Sequence, residues 1–327
     1  MALPNRSMTH IDRALTTMSV AYIQDRQAFI SDKMFPIVRV QQQSDRYFMY
    51  LKEDWFRDEA KERTRATESA GGGYRIDNTP TYYCRRYAYH MDVTEEDRVN
   101  SDEPLNADTD AAEFTVEKML LHREALWANT YFKTGVWGTE YAGVVAAPGA
   151  SQVLQWNDAS STPIEDIEAA KIEMVRTTGQ MPNKLLLGLE AYSALKNHPD
   201  MLERIKYTQR GVMTTDLLAT LLDVPQVLVG YAIKNAAVIG ATESTDFILG
   251  KHALLCHAAP RPALKQPSAG YTFAWTGYMG ASAYGHRMVR IPMEWLGIGT
   301  ERIECEMAFD QKVVCSDLGV FFNGVVA

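Results

Sequence analysis

Few side chains in this sequence stand at spacings that could do chemistry. Gly71-Gly72-Gly73 is the obvious glycine run. A phosphate-cradling loop would need GxxxxGK[ST] between strand and helix, and no Lys-Ser or Lys-Thr follows the run. A hinge or turn, glycine's common use, is the expectation. His252, Cys256 and His257 fall close together. Zinc takes four ligands, usually as two spaced pairs, and Cys305 and Cys315 lie far along the chain in separate candidate strands. Glu95-Glu96 and Glu53-Asp54 are neighbours in sequence, so their side chains are expected to diverge as solvated charge rather than form a catalytic dyad. His122 and His198 stand where solvated or hydrogen-bonded side chains are expected. No GxSxG elbow, HExxH helix or GxGxxG fingerprint is present. The sequence therefore nominates no catalytic residue, no metal ligand and no cofactor.

Bulk properties narrow the classes further. The chain has 327 residues, above the size at which single cores usually divide, so two domains plus extensions are expected. A formal net charge of −8 argues against a general electrostatic nucleic-acid binder, though not against a protein that encloses nucleic acid. The four cysteines form no CxxC pair; Cys305 and Cys315, in strand-like runs, read as buried small hydrophobes, and a reducing compartment fits. The N-terminus lacks the basic stretch and apolar core of a signal peptide. No apolar run approaches the roughly 20 residues that span a bilayer.

The elements that would have to position any site point instead to an arm. Two strand-like runs, Tyr47–Leu51 and Thr81–Val93, flank the charged and glycine-rich segment Lys52–Gly73. Of the seventeen residues from Lys52 to Glu68, six are acidic and five basic. A loop this long is unusual inside a compact domain, and a lone two-stranded hairpin is marginal in water. It needs a surface to lie on, and a neighbouring copy of the chain could supply one. Mixed charge suits complementary contacts that set register, each exposed pair contributing about 0–1 kcal/mol. Candidate intersubunit contacts are Trp55, Phe56, Arg57, Asp58, Glu59, Lys61, Arg63, Arg65 and Glu68. Trp55 and Phe56 are either interface anchors or aromatics packed on the chain's own strands.

Residues 1–43 read as an arm with little core of its own, with Ile11, Leu15 and Met18 on one short helical face. Pro36 should stop a helix by Phe35, and Ile37–Val40 follows as a strand. Within Thr81–Val93 the odd positions Tyr83, Tyr87, Tyr89, Met91 and Val93 alternate with Cys84, Arg86, His90 and Asp92, as in a half-buried strand. A long helix should run from Asp110, with Glu113 closing a capping box, to near Gly135. Phe114, Leu121, Ala125 and Phe132 form one stripe on it, and Val116, Leu120, Trp127 and Tyr131 a second, so it should be contacted from two sides. Residues 138–161 read as a loop or junction. Thr162-Pro163-Ile164-Glu165 opens a second helix that should end at Gly179. Apolar strands and helices alternate through 184–260. The C-terminal part is β-rich: Tyr271–Tyr278, Arg287–Met293, Arg302–Asp310 and Lys312–Ser316. Ile303, Cys305, Met307 and Phe309 alternate with Glu304 and Glu306, predicting a buried face and an exposed acidic one.

This α+β order of arm, charged hairpin, long helix, mixed α/β unit and returning strands resembles the major capsid protein of tailed bacteriophages, the Hong Kong 97-like fold. The stretches AFISDKMFPIVRV, SDRYFMY followed by DWFRDEA, ESAGGGYRIDNTPTYYC, ALWANTYFKTGVWG, LKNHPDMLERIKYTQRG and EMAFDQKVVCSDLGVFFNG carry the likeness. The resemblance implies an N-terminal arm at 1–43 and an extended E-loop at 44–93 lying over an adjacent subunit. It implies a P-domain at 94–161 and 286–327, whose spine helix covers about 110–135, and an A-domain at 162–285. It also implies self-assembly into pentamers and hexamers of an icosahedral shell around double-stranded DNA. The expected partners are a portal protein, a separate scaffold and, in some relatives, a decoration protein, with assembly in the host cytoplasm, residence in the virion and no membrane. No covalent subunit cross-link is expected, since nothing matches Lys52 or Lys61 to a cross-linking motif. An encapsulin-like nanocompartment shell and a soluble α/β enzyme remain the alternatives.

Overall fold

The computed structural model describes residues 24–101, 105–205, 213–238, 240–263, 265–280 and 287–327. The helical face expected at Ile11, Leu15 and Met18 lies outside the described residues. Thirteen residues, Glu301–Val313, form the longest strand described and organise the first of two large sheets. Arg85–Val93 pairs antiparallel along one edge, from Val93 opposite Glu301 to Arg85 opposite Phe309. Arg287–Pro292 and then Gly270–Trp275 pair antiparallel with its successive halves along the other edge. Ile37–Val40 adds in parallel to Gly270–Trp275. The two strands expected at Arg302–Asp310 and Lys312–Ser316 are thus one, because Gln311 continues the ladder opposite Thr272.

One face of the long strand behaves as its alternation predicts. Cys305, Met307 and Phe309 pack with Met119, and Ile303 packs with Ala111 and Val93. Met119 and Ala111 both belong to the helix Ala107–Tyr131. The other face is not the exposed acidic one that the alternation suggests. Glu306 is 2% exposed, because Arg86 and Arg287 of the two flanking strands close on its carboxylate. Burial pushes the Glu306 carboxyl up, but the hydrogen bonds from Arg287 and Arg86 outweigh it and hold it below its ordinary value.

The long helix has 25 residues, about 37 Å at 1.5 Å per residue. It begins earlier than predicted. Asn106, not Asp110, caps it, its side-chain oxygen accepting from the Asp108 and Thr109 amides at 3.1 Å. Asp110 therefore sits inside the first turn, where its charge still favours the helix N-terminus. Contact from more than one side is as expected, although Phe114 of the first stripe is exposed. The helix also buries Thr115, Arg123 and Glu124, which the apolar stripes did not foretell.

Glu124 explains how the N-terminal segment is held. Its carboxylate accepts from the backbone amides of Ile30 and Ser31 at 3.0 and 2.9 Å, and Arg123 pairs with Asp32 at 2.5 Å. The short helix Ser31–Met34 stops before Pro36, as predicted. Far from lacking a core, Ile30, Met34 and Phe35 are almost fully buried. Phe35 is ringed by Trp127, Tyr131 and Trp137, with centroids at 5.6, 5.1 and 6.4 Å.

The second sheet runs in the order Gln226–Gly230, Lys184–Gly188, Ala253–Cys256, Gly319–Asn323, Thr139–Val144, Gln152–Leu154. Leu185, Leu186, Leu187, Leu254, Leu255, Phe321 and Phe322 are fully buried, as in a sheet covered on both faces. Thr139–Val144 falls where a loop was expected. Gly143 makes the strand possible: a Cβ there would lie 2.1 Å from the Gly324 carbonyl oxygen. Strand pairing crosses the boundaries expected at 161/162 and 285/286. Thr139–Val144, Gln152–Leu154 and Gly319–Asn323 join the sheet of the 184–256 region, whereas Gly270–Trp275 joins the sheet of the long strand. Helix Pro163–Thr178 has Pro163 at its first position and Gly179 in the left-handed conformation, both as predicted. Its capping box does not form. Thr162 takes φ −123° and ψ 67° and makes no side-chain cap bond, and Glu165 pairs with Arg204 at 2.9 Å instead.

Glu124→Leu removes the acceptor of two buried amides and should lower the unfolding free energy by about 1–3 kcal/mol per orphaned group. Glu124→Gln, which keeps an acceptor oxygen, should cost much less; urea denaturation of the two variants measures the difference. Because the folded value of Glu306 is depressed, its stabilisation is present above the ordinary carboxyl value of about 4.3 and is lost as pH falls through the lower folded value. Glu306→Gln should cost about 1–3 kcal/mol at neutral pH and make the acid limb of the stability–pH curve shallower than in the unaltered chain.

Candidate intersubunit contacts

The hairpin arm is anchored by two short ladders. Ser44–Arg46 pairs with Thr81–Tyr83, and Met49–Tyr50 pairs with Ile76–Asp77. The single strand expected over Thr81–Val93 breaks at Cys84, whose amide donates to the Gln43 carbonyl at 2.8 Å. This break shifts the phase of the alternation. Tyr82 and Cys84, at even positions, are buried before the break and Val93, at an odd one, after it, while Tyr83 and Tyr89 are exposed. Tyr82 stacks on Phe273 at 4.6 Å and fixes the base of the arm to the first sheet.

Beyond the second ladder, Lys52–Trp55 makes one helical turn, and no residue from Phe56 to Tyr74 lies in a strand. Trp55 is 52% exposed and Phe56 63%. Trp55 forms an aromatic cluster with Tyr50 and Tyr74, with centroids at 5.8 and 5.7 Å. Lys265 Nζ stands 5.5 Å from the Tyr50 ring centre and 5.8 Å from that of Trp55. Phe56 lies against Gly179, where a Cβ would be 3.6 Å from its Cζ. Of the predicted charges, Arg57 pairs with Glu59 at 3.2 Å, and Arg63 Nε donates to the Thr67 carbonyl at 2.8 Å. Asp58, Lys61, Arg65 and Glu68 are exposed.

Several of the arm's contacts had no signal in local spacing. Glu53 and Asp54 do not diverge: both reach Arg75, whose guanidinium lies 3.1 Å from Glu53 Oε2 and 3.0 Å from Asp54 Oδ2. Hydrogen bonds from the Arg75 side chain and amide hold the Asp54 carboxyl below its ordinary value. Arg75 lies beyond the charge-rich window, and only its register opposite Leu51 brings it back. Lys52 pairs with Asp317, 265 positions away.

The side chains weighed for chemistry are dispersed. His252 Nδ1 accepts from the Gly324 amide at 2.9 Å, and His257 Nδ1 meets the Met181 carbonyl at 2.7 Å. Cys256 is fully buried, its thiol pushed up to about 12 by burial. His198 is buried against Ser161 and the Asp158 carbonyl, both at 3.0 Å. Among the described residues, no His, Cys, Asp and Glu side chains gather as a metal site, and no helix is long and apolar enough to cross a membrane.

The long helix laid on an extended sheet, the second mixed sheet and the projecting hairpin are together the parts of the phage capsid fold. A phage-related protein from Bordetella bronchiseptica RB50 superposes with a TM-score of 0.67 at 22% identity, over 92% of this chain and 94% of that one. The mature capsid of bacteriophage PhiM1 matches with a TM-score of 0.60 at 12% identity, over 96% and 91%. An encapsulin from Synechococcus elongatus PCC 7942 matches with a TM-score of 0.54 at 11% identity, over 100% and 96%. No family model matches the chain. In sequence, the major capsid protein of Burkholderia phage BcepMu is 28% identical over 224 residues, 68% of this chain and 69% of that protein. The chain is thus a relative of phage major capsid proteins with a Hong Kong 97-like fold.

Arg75→Ala should raise the rate of proteolytic cleavage within residues 52–75 several-fold while leaving the melting temperature unchanged, because the Arg75 fork orders an exposed segment rather than the core. Limited proteolysis and a thermal melt of the same variant measure the two effects.

Proposed function

We propose that this chain is the major capsid protein of a tailed phage, assembling through pentamers and hexamers into an icosahedral head around double-stranded DNA. The observation that carries the proposal is the coincidence of two likenesses: a phage major capsid protein in sequence and phage capsids in fold over nearly the whole chain. An encapsulin shell shares the fold, but the sequence relative is a phage protein. The role is structural rather than catalytic.

Within the shell, the long-strand sheet and long helix would form the P-domain, and the second sheet with its helices the A-domain. Residues 44–93 would be the E-loop, contacting neighbours through Trp55, Phe56 and the charges from Arg57 to Glu68. Portal, scaffold and decoration proteins would be separate partners, and the DNA would be enclosed without sequence-specific contacts. A net charge of −8 fits enclosure better than tight binding. Assembly would take place in the host cytoplasm and end in the virion.

Deleting residues 52–73 should leave folded, soluble subunits that form no shells. Circular dichroism and electron microscopy test this, and normal particles from the deleted chain would overturn the arm's assembly role. Untreated particles boiled in detergent should run as a single monomer band, since no covalent link between subunits is proposed.

A further inference from the structure

The N-terminal segment is held in three different ways along its length. At its exposed start, the Gln24 side chain bonds both ways with the Ile233 backbone at 2.8 and 3.0 Å, and Asp25 accepts from the Tyr231 hydroxyl at 2.8 Å. At its far end, Met34 and Phe35 are fully buried. Between the two lies the Glu124 contact. Ile30 opens the short helix Ser31–Met34 and makes no side-chain cap bond of its own. Glu124 Oε2 reaches over from the long helix and accepts from both first amides, Ile30 and Ser31, so it stands in for the missing cap.

This borrowed cap is short of positive charge. Glu124 is fully buried. The charged groups on the elements around it are Asp32 and Lys33 of the short helix, Arg123 of its own helix and Lys184 of the second sheet. Arg123 is already paired with Asp32. Lys33 is exposed, and Lys184 Nζ donates to the Lys33 carbonyl. Towards the second sheet the surroundings are apolar, since Ile30 and Met34 cluster with Leu186, Leu228 and Leu249. Among the described residues, Glu124 Oε1 has no hydrogen-bond partner. An ionised Glu124 is thus a buried charge with two amides and no cation of its own, which is costly. A neutral carboxyl keeps both amide bonds on Oε2 and carries its proton on Oε1. Burial pushes the Glu124 carboxyl up, more than the Ser31 and Ile30 hydrogen bonds and the Arg123 charge pull it down. Burial pushes Asp32 up as well, against the pull of Arg123, so two carboxyls share one guanidinium.

We propose that Glu124 is a proton-operated latch on the N-terminal segment: neutral, it holds Ile30 and Ser31 against the long helix, and on losing its proton it loosens residues 24–31. The latch is a property of the single subunit and does not depend on the shell-forming role. Its folded value lies above the ordinary carboxyl value of about 4.3. The hold is therefore complete below that value and weakens as pH rises through the folded one. Once it loosens, the exposed bonds of Gln24 and Asp25 remain as the outer hold, and water competes well for such bonds. Phe35 stays in its ring of aromatics, so the loosening is local. Glu306 has the opposite sign, because its two guanidiniums favour the ionised form. One buried carboxyl thus secures the first sheet when charged, and the other secures the N-terminal segment when neutral.

Amide hydrogen exchange of the free full-length subunit reads the latch at Ile30 and Ser31. Rates are corrected for the intrinsic effect of pH, and the strand Ala253–Cys256 serves as an internal reference. Between about pH 5 and 8, protection of the two amides should fall by up to about tenfold per pH unit, the slope of a single proton, while the reference strand holds. Glu124→Gln, neutral at every pH and still an acceptor, should keep the two amides protected throughout. Protection that does not change with pH in the unaltered chain would overturn the latch. A fall shared equally by Ala253–Cys256 would overturn it too, by placing the titration in global unfolding. A fall that persists unchanged in Glu124→Gln would move the proton to another group and also overturn it. Should that variant not fold, the unaltered chain decides alone: a one-proton fall confined to Ile30 and Ser31 supports the latch, and a flat curve overturns it.

Discussion

The strand Glu301–Val313 is the constraint on which the structure depends. Its two edges collect four segments of the chain, directly or through a neighbour: Ile37–Val40, Arg85–Val93, Gly270–Trp275 and Arg287–Pro292. Antiparallel register fixes which side chains face the helix Ala107–Tyr131, since a slip of one residue would turn Cys305, Met307 and Phe309 away from it. The same register brings Arg287 opposite Glu306. A carboxylate can be buried there because two guanidiniums arrive with the flanking strands. Without them it would carry the cost of an unpaired buried charge.

One of the links between the two sheets is the short stretch between Val313 and Gly319. Gly319–Asn323 enters the middle of that sheet, between Ala253–Cys256 and Thr139–Val144. Asp317, which receives Lys52, sits on this link. One of the points on which the arm rests is therefore carried by residues that connect the two sheets, beside those at Gly179 and Lys265.

Much of this was legible from local pattern. The alternation of Ile303, Cys305, Met307 and Phe309 gave the inner face of the long strand, and Pro163 and Gly179 gave the ends of a helix. What failed were statements that depended on distant partners or on competing caps. The Asp110–Glu113 box gave way because Asn106 starts the helix one turn earlier. Glu165 left its own helix start for Arg204. The outer face of the long strand looked acidic and solvated because Arg86 and Arg287 lie 220 and 19 positions from Glu306. Thr139–Val144 looked like a loop because small residues, Gly143 above all, are what let Gly324 approach it. In the arm, the charged residues were readable but their pairing was not, since Arg75 returns to Glu53 and Asp54 only through the hairpin register.

That pairing bears on how an arm of mixed charge can work. Glu53, Asp54 and Arg75 pair with one another inside the arm, as do Arg57 and Glu59. These internal pairs shape the segment and leave Asp58, Lys61, Glu62, Arg63, Arg65 and Glu68 exposed, three of each sign. A tip of balanced charge is not repelled by other copies of itself, and each contact it makes is weak, about 0–1 kcal/mol. Weak contacts repeated over many identical interfaces suit a shell, because a misplaced subunit can leave and a correct one is held by the sum. The anchors that could make a single contact strong, Trp55 and Phe56, sit at the base of this charged tip, beside a cation at Lys265 and a bare backbone at Gly179 of the same chain. Under the proposed contacts, specificity and strength would be carried by different residues of the same arm.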